Sequence, residues 1–155
     1  MLKLKYCMMF LALSAIIASC GGGQSKIDEI KSQTIKPPSD PMANWESNNG
    51  IGPISAFTLP TEIDQQLVAE GLLLYEIKCT ACHKIDKKFI GPSPKDILTR
   101  RNPAWVMNMI LNPDEMIQKD PIAKQLLIEA NSAPMANQNL TETEARAILE
   151  YFRSL

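Results

Sequence analysis

Apolar and polar positions divide these 155 residues into three regimes. The first is an apolar run from Met8 to Ala18, preceded by Lys3 and Lys5 and closed by small residues. A basic start, a short apolar centre and a small-residue end make residues 1–19 read as an export signal, too short to span a membrane. In the second regime, residues 20–60, hydrophobic periodicity is weak. Gly21-Gly22-Gly23, Pro37-Pro38, Asp40-Pro41, Asn48-Asn49-Gly50 and Gly52-Pro53 interrupt it. This composition predicts a tether, whose flexible span would be roughly 30–40 Å. Trp45, Ile51, Ile54 and Phe57 are unusually apolar for a linker, so the part from about Trp45 is expected to pack along a folded domain.

The third regime, residues 61–155, is a single domain of well-punctuated helices. The first is predicted from about Glu62 to Lys78, capped by Thr61 or Asp64, with Leu67, Leu74 and Ile77 on one face. Asn102-Pro103, Asn112-Pro113 and Asp120-Pro121 each read as a cap followed by proline at the first helical position, where its missing N–H costs nothing. They open helices at about 103–111, 113–118 and 121–131. Thr141-x-x-Glu144 forms a capping box for a last helix that runs to about Arg153. No segment alternates convincingly as a strand, so the fold class is all-α.

Chemistry enters at Cys79-Thr80-Ala81-Cys82-His83. Thiols three positions apart, with an imidazole directly after the second, form the attachment signature of a c-type haem. On one helical turn both sulfurs face the same side, within reach of the two vinyl groups of one porphyrin edge. His83 then points to the ring centre as an iron ligand. A structural zinc site would need four ligands, and the chain holds a single histidine. A thioredoxin-like pair would need a βαβ setting, which the pattern lacks.

The remaining cysteines concern location. Cys7 leaves with the export signal. Ile17-Ala18-Ser19-Cys20 resembles the lipobox of bacterial lipoproteins, which makes Cys20 the lipidation site of residues 20–60; an ordinary soluble export signal ending near a cysteine is the alternative. The expected place is the bacterial cell envelope, with the haem domain in the periplasm. Gly21 lacks the acidic character that retains such lipoproteins in the inner membrane, which leans the expectation toward the outer one.

Without Lys3 and Lys5 the balance is 14 basic to 17 acidic residues, which argues against nucleic acid as a partner. The distribution is uneven. Lys78, Lys84, Lys87, Lys88, Lys95, Arg100 and Arg101 face only Asp86 and Asp96 between positions 78 and 101. This run forms either a positive collar near the haem edge or a merely solvated loop.

The frame Gly71, Tyr75, Cys79, Cys82, His83 resembles that of class I monohaem cytochromes c, and the resemblance covers the domain from end to end. It implies a first and a last helix that cross closely at Gly71, with Ile148 and Tyr151 supplied by the last. Gly91-Pro92 resembles the family's glycine–proline, which implies that the Pro92 carbonyl accepts a hydrogen bond from His83. The family presents its second axial ligand, a methionine, from a loop before the last helix. Met135, in Ser132-Ala133-Pro134-Met135-Ala136-Asn137, occupies that place, although the proline precedes it instead of following. Met116 is the alternative, while Met107 and Met109 read as core filler. Trp105, Arg100 and Arg101 are candidate donors to haem propionates, with core packing the other reading of Trp105.

These features together predict one covalent haem c with His/Met ligation by His83 and Met135, and an electron carrier with no catalytic residue. The segments Ile51-Gly52-Pro53, Ile63 to Gly71, Met109 to Pro113 and Asp120 to Leu127 resemble small lipoprotein cytochromes associated with nitrous-oxide reductase systems. That resemblance implies electrons taken from a quinol-oxidising complex or another cytochrome and delivered to a terminal reductase such as nitrous-oxide reductase. Delivery to a cytochrome oxidase or a haem peroxidase would use the same residues. A gas or redox sensor, in which Met135 dissociates, is the reading from another class.

Overall fold

The computed structural model describes residues 40–155, so the export signal, Cys7, Cys20 and the first part of the tether lie outside the described residues. Helix α1 runs Gln65–Lys78 and opens on Asp64, whose carboxylate accepts the N–H groups of Gln66 and Leu67. The sequence starts this helix at Glu62; the structure starts it later because Asp64, not Thr61, supplies the cap. Its buried face also differs from the expected stripe. Gly71 and Tyr75 are buried, while Ile77 is 77% exposed. A helix that meets its neighbour through a glycine buries the residues around that glycine, and Ile77 lies off that face.

Helices α2 (Pro103–Leu111), α3 (Pro113–Lys119) and α4 (Pro121–Glu129) each begin on proline. Asn102 accepts the Ala104 N–H and Asp120 accepts the Ala123 N–H, as caps do, each contributing about 1 kcal/mol. Asn112 does not cap α3. Its amide donates instead to the Ile51 carbonyl and to Glu115. Helix α4 stops at Glu129, short of the expected 131, where Asn131 and Ser132 adopt left-handed φ angles of 54° and 63°. The last helix, α5 (Glu142–Arg153), has the complete Thr141–Glu144 capping box. Among the described residues there is no strand, and no helix is long and apolar enough to cross a membrane.

The main pairing is α1 against α5. A Cβ at Gly71 would meet the Ala147 carbonyl oxygen at 2.0 Å, so the two backbones touch. Around this contact Tyr75, Tyr151 and Phe152 form an aromatic cluster, with Tyr75 and Tyr151 centroids 5.5 Å apart. Glu150 seals the far end. Fully buried, it accepts the Asp64 N–H at 2.8 Å and pairs with Arg146 at 2.6 Å and Arg153 at 3.2 Å. Arg153 also donates to the carbonyls of Thr61 and Glu62, which ties the approach to α1 onto α5.

Residues Asn48–Phe57, the apolar end of the predicted tether, lie on the domain as a strap. Its anchor is Asn108, a fully buried amide on α2. Asn108 donates to the carbonyls of Asn49 and Ile54 and accepts the Ile54 N–H. Gly52 passes so close that a Cβ there would lie 2.4 Å from the Asn108 oxygen. Leaving any of these buried groups unpaired would cost about 1–3 kcal/mol, so the strap is held by specific bonds as well as by apolar contact.

Candidate cofactor site

Hydrogen bonding carries the end of α1 into the motif. The Cys79 N–H donates to the Tyr75 carbonyl, and the N–H groups of Cys82 and His83 both donate to the Cys79 carbonyl at 3.1 and 2.9 Å. This continuing turn brings Cys79, Cys82 and His83 to the lining of one cleft, open to solvent at its mouth. The lining is mainly apolar, with Ile97, Val106, Met109, Ile110, Leu126 and Ile148 prominent. Burial pushes the Cys79 thiol up to about 11, and neighbouring Cys82 adds to the shift, so Cys79 is a neutral thiol at pH 7.

His83 is held from two sides. Its Nδ1 lies 2.8 Å from the Pro92 carbonyl oxygen. A carbonyl only accepts, so Nδ1 carries the proton and Nε2 keeps a lone pair for a metal. Gly91 makes this approach feasible, because a Cβ there would lie 2.3 Å from His83 Cε1. The Gly91 N–H donates to the Cys82 carbonyl, closing the loop on the motif. Tyr75 contributes a bond that its place in the sequence frame does not reveal, donating its hydroxyl to the His83 carbonyl at 3.1 Å. Burial, together with Cys79 and Tyr151, raises the Tyr75 phenol to about 12, so it stays a donor.

The two candidate methionines separate cleanly. Met135 lines the cleft from the loop between α4 and α5. Met116 is fully buried outside the cleft lining, and its sulfur accepts the Ile51 N–H at 3.0 Å. Met109, read from sequence as core filler, lines the cleft as a second thioether. Gln138 also lines it; its position three residues after Met135 is the signal that could have found it.

The three candidate propionate donors also diverge. Trp105 turns its ring to the cleft, but its Nε1–H donates to Asp120 at 3.0 Å, which removes it as a free donor. Arg100 donates to the carbonyls of Lys95 and Ser93 and so braces the turn that follows Pro92. Arg101 is 6% exposed and stacks over the Trp105 ring, with its Nε lacking a partner. Burial lowers its pKa, with Arg100 adding to the effect. Of the three, Trp105 alone lines the cleft; Arg100 and Arg101 lie outside its lining. The basic run is partly engaged within the molecule: Lys84 lies over the Phe89 ring, Lys88 donates to the Glu129 carbonyl, and Lys95 pairs with Asp86 at 3.7 Å.

Two thiols at one-turn spacing, an imidazole protonated at Nδ1, a thioether and an apolar lining fit a covalently attached haem. The comparisons agree with this chemistry. The cytochrome c family model matches residues 68–155. The cytochrome c from Rhodothermus marinus is 45% identical over 66% of this chain and 88% of that one, with a TM-score of 0.64. An engineered form of the Rhodothermus marinus cytochrome c is 43% identical over 74% of this chain and 96% of that one, with a TM-score of 0.65. The engineered protein bound to a carbene intermediate gives a TM-score of 0.62 at the same identity and coverage. No curated protein matches the sequence.

Proposed function

The chain belongs to the cytochrome c family and is a haem-based electron carrier, and on that premise we propose that it works from a lipid anchor in the bacterial cell envelope, delivering electrons to a terminal reductase. Haem c, when bound, supplies a single Fe(III)/Fe(II) couple. Cys79 and Cys82 would hold it through thioether bonds, and His83 Nε2 and the Met135 sulfur would ligate its iron. Pro92 keeps the histidine proton on Nδ1, which fixes the tautomer and raises the basicity of Nε2. The apolar lining excludes water and keeps the environment similar in both oxidation states. With His83 and Met135 both ligating the iron, oxygen and peroxide would find no open position on it, which suits a carrier.

One observation carries the reading: the Pro92-bound imidazole of His83 and the thioether of Met135 line the same apolar cleft. Apart from His83, Lys78 is the one ionisable nitrogen base among the described residues lining it, which suits electron transfer without proton transfer. The lipobox-like Ile17-Ala18-Ser19-Cys20 supports the anchor, with the haem domain on the periplasmic side. The resemblance of residues 51–53, 63–71, 109–113 and 120–127 to cytochromes of nitrous-oxide reductase systems supports that enzyme as the acceptor, and a quinol-oxidising complex or another cytochrome as the donor.

Stopped-flow reduction and reoxidation of the holoprotein against a panel of partners tests this. Fast reoxidation by nitrous-oxide reductase is expected, and preference for a cytochrome oxidase or a haem peroxidase would redirect the assignment. The reduced spectrum should be unchanged by carbon monoxide; a large shift would indicate a sensor.

A further inference from the structure

The strap Asn48–Phe57 does more than cover apolar surface, because its polar contacts converge on the elements that wall the cleft. Asn108, which grips it, lies on α2, whose Trp105, Val106, Met109 and Ile110 line the cleft. The strap's Ile51 N–H goes to Met116 on α3, one residue before the cleft-lining Ile117. Its Asn48 amide donates to Asp120 at 2.7 Å. Asp120 is the joint of the arrangement. Only 2% exposed, it accepts simultaneously from Asn48 of the strap, from the Trp105 indole at 3.0 Å and from the Ala123 N–H that opens α4 at 2.8 Å. Helix α4 then lines the cleft with Ala123, Leu126 and Leu127 and delivers the chain into the loop that holds Met135.

We propose that the strap braces the methionine side of the cleft, with Asn48 and Asp120 as positioning residues that restrain α4 and so keep Met135 in place. Packed elements linked through one satisfied carboxylate move together, so freeing one of its three partners loosens the other two. Loosening favours the state in which Met135 has left the iron, and an external ligand binds in proportion to that state's population. The proposal rests on the reading of Met135 as an axial ligand.

The test uses the ferric holoprotein with imidazole as the probe ligand. Asn48→Ala removes the strap's bond to Asp120. Gly52→Ala places a methyl against the Asn108 oxygen and lifts the strap from α2. Neither position lines the cleft. Each variant is titrated with imidazole while the weak thioether–iron absorption band is followed, and amide hydrogen exchange reports on Asn49–Ser55. Both variants should bind imidazole roughly tenfold more tightly, following the population of the methionine-released state. A Glu150→Gln control, destabilised at the α1–α5 contact and clear of the strap's bonds to Asn108 and Asp120, should not. Unchanged affinity overturns the brace whether or not the strap exchanges faster. In the first case the strap moves without consequence, and in the second the named contacts do not hold it. An equal gain in the control also overturns it, since any loss of stability would then suffice. Persistence of the band in Met135→Ala would instead sink the ligand reading and is scored separately.

Discussion

The bare Cα of Gly71 lies against the Ala147 carbonyl so closely that a methyl group there would meet the oxygen at 2.0 Å. Both partners are backbone, so no side chain can swing aside. Gly71→Ala must therefore push α1 and α5 apart and disturb the Tyr75–Tyr151 contact. We expect a loss of about 3 kcal/mol of unfolding free energy, at the upper end of overpacking effects, measured by denaturant titration of the holoprotein. A change within error would mean that the helices can separate at little cost.

Gly91→Ala addresses the histidine. The new Cβ would lie 2.3 Å from His83 Cε1, so the ring must turn away from the Pro92 carbonyl. Losing that bond lowers the basicity of Nε2, which weakens its donation to the oxidised iron most. The reduction potential should rise, and histidine ligation should weaken about tenfold. Voltammetry checks the sign; a fall in potential would contradict the role given to Pro92.

Met135→Ala should abolish the thioether–iron absorption band and open the reduced protein to carbon monoxide. Met116→Leu should keep the band, because that sulfur is committed to the Ile51 N–H outside the cleft lining. If Met135→Ala retains the band, Met109 is the next thioether to replace, since it also lines the cleft.

Much of this architecture is legible in the sequence because its helices are marked by local chemistry. Asn102-Pro103, Asp120-Pro121 and Thr141-x-x-Glu144 carry their own start signals, and α2, α4 and α5 begin there. Where two caps compete, as Thr61 and Asp64 do before α1, local pattern cannot choose between them. The 2.8 Å contact of His83 with Pro92 is legible through the family frame alone, since nothing in nine residues of spacing demands it. The indole proton of Trp105 is harder still. Its partner, Asp120, announces itself as a helix cap and gives no sign that it serves two further donors. The strap's seat on Asn108 depends on a single buried amide in an apolar helix, a feature that sequence reading passes over as an interruption.

Glu150 offers a prediction in pH. Burial pushes its carboxyl up, but the Asp64 N–H, Arg146 and Arg153 together outweigh burial and hold it below the usual carboxylate range. Because the folded value is depressed, ionised Glu150 stabilises the native state above the unfolded value of about 4.3. That stabilisation is lost as pH falls through the folded value. Glu115 and Glu144 are depressed as well, so the difference between wild type and Glu150→Gln isolates the buried group. At pH 7 the amide variant should be less stable by about 3 kcal/mol, because Arg146 and Arg153 lose their shared partner. The difference should begin to shrink as pH falls below about 4.3 and vanish once pH is below the folded value. A difference that stays constant through this range would show that Glu150 acts through shape and hydrogen bonding alone, not through its charge.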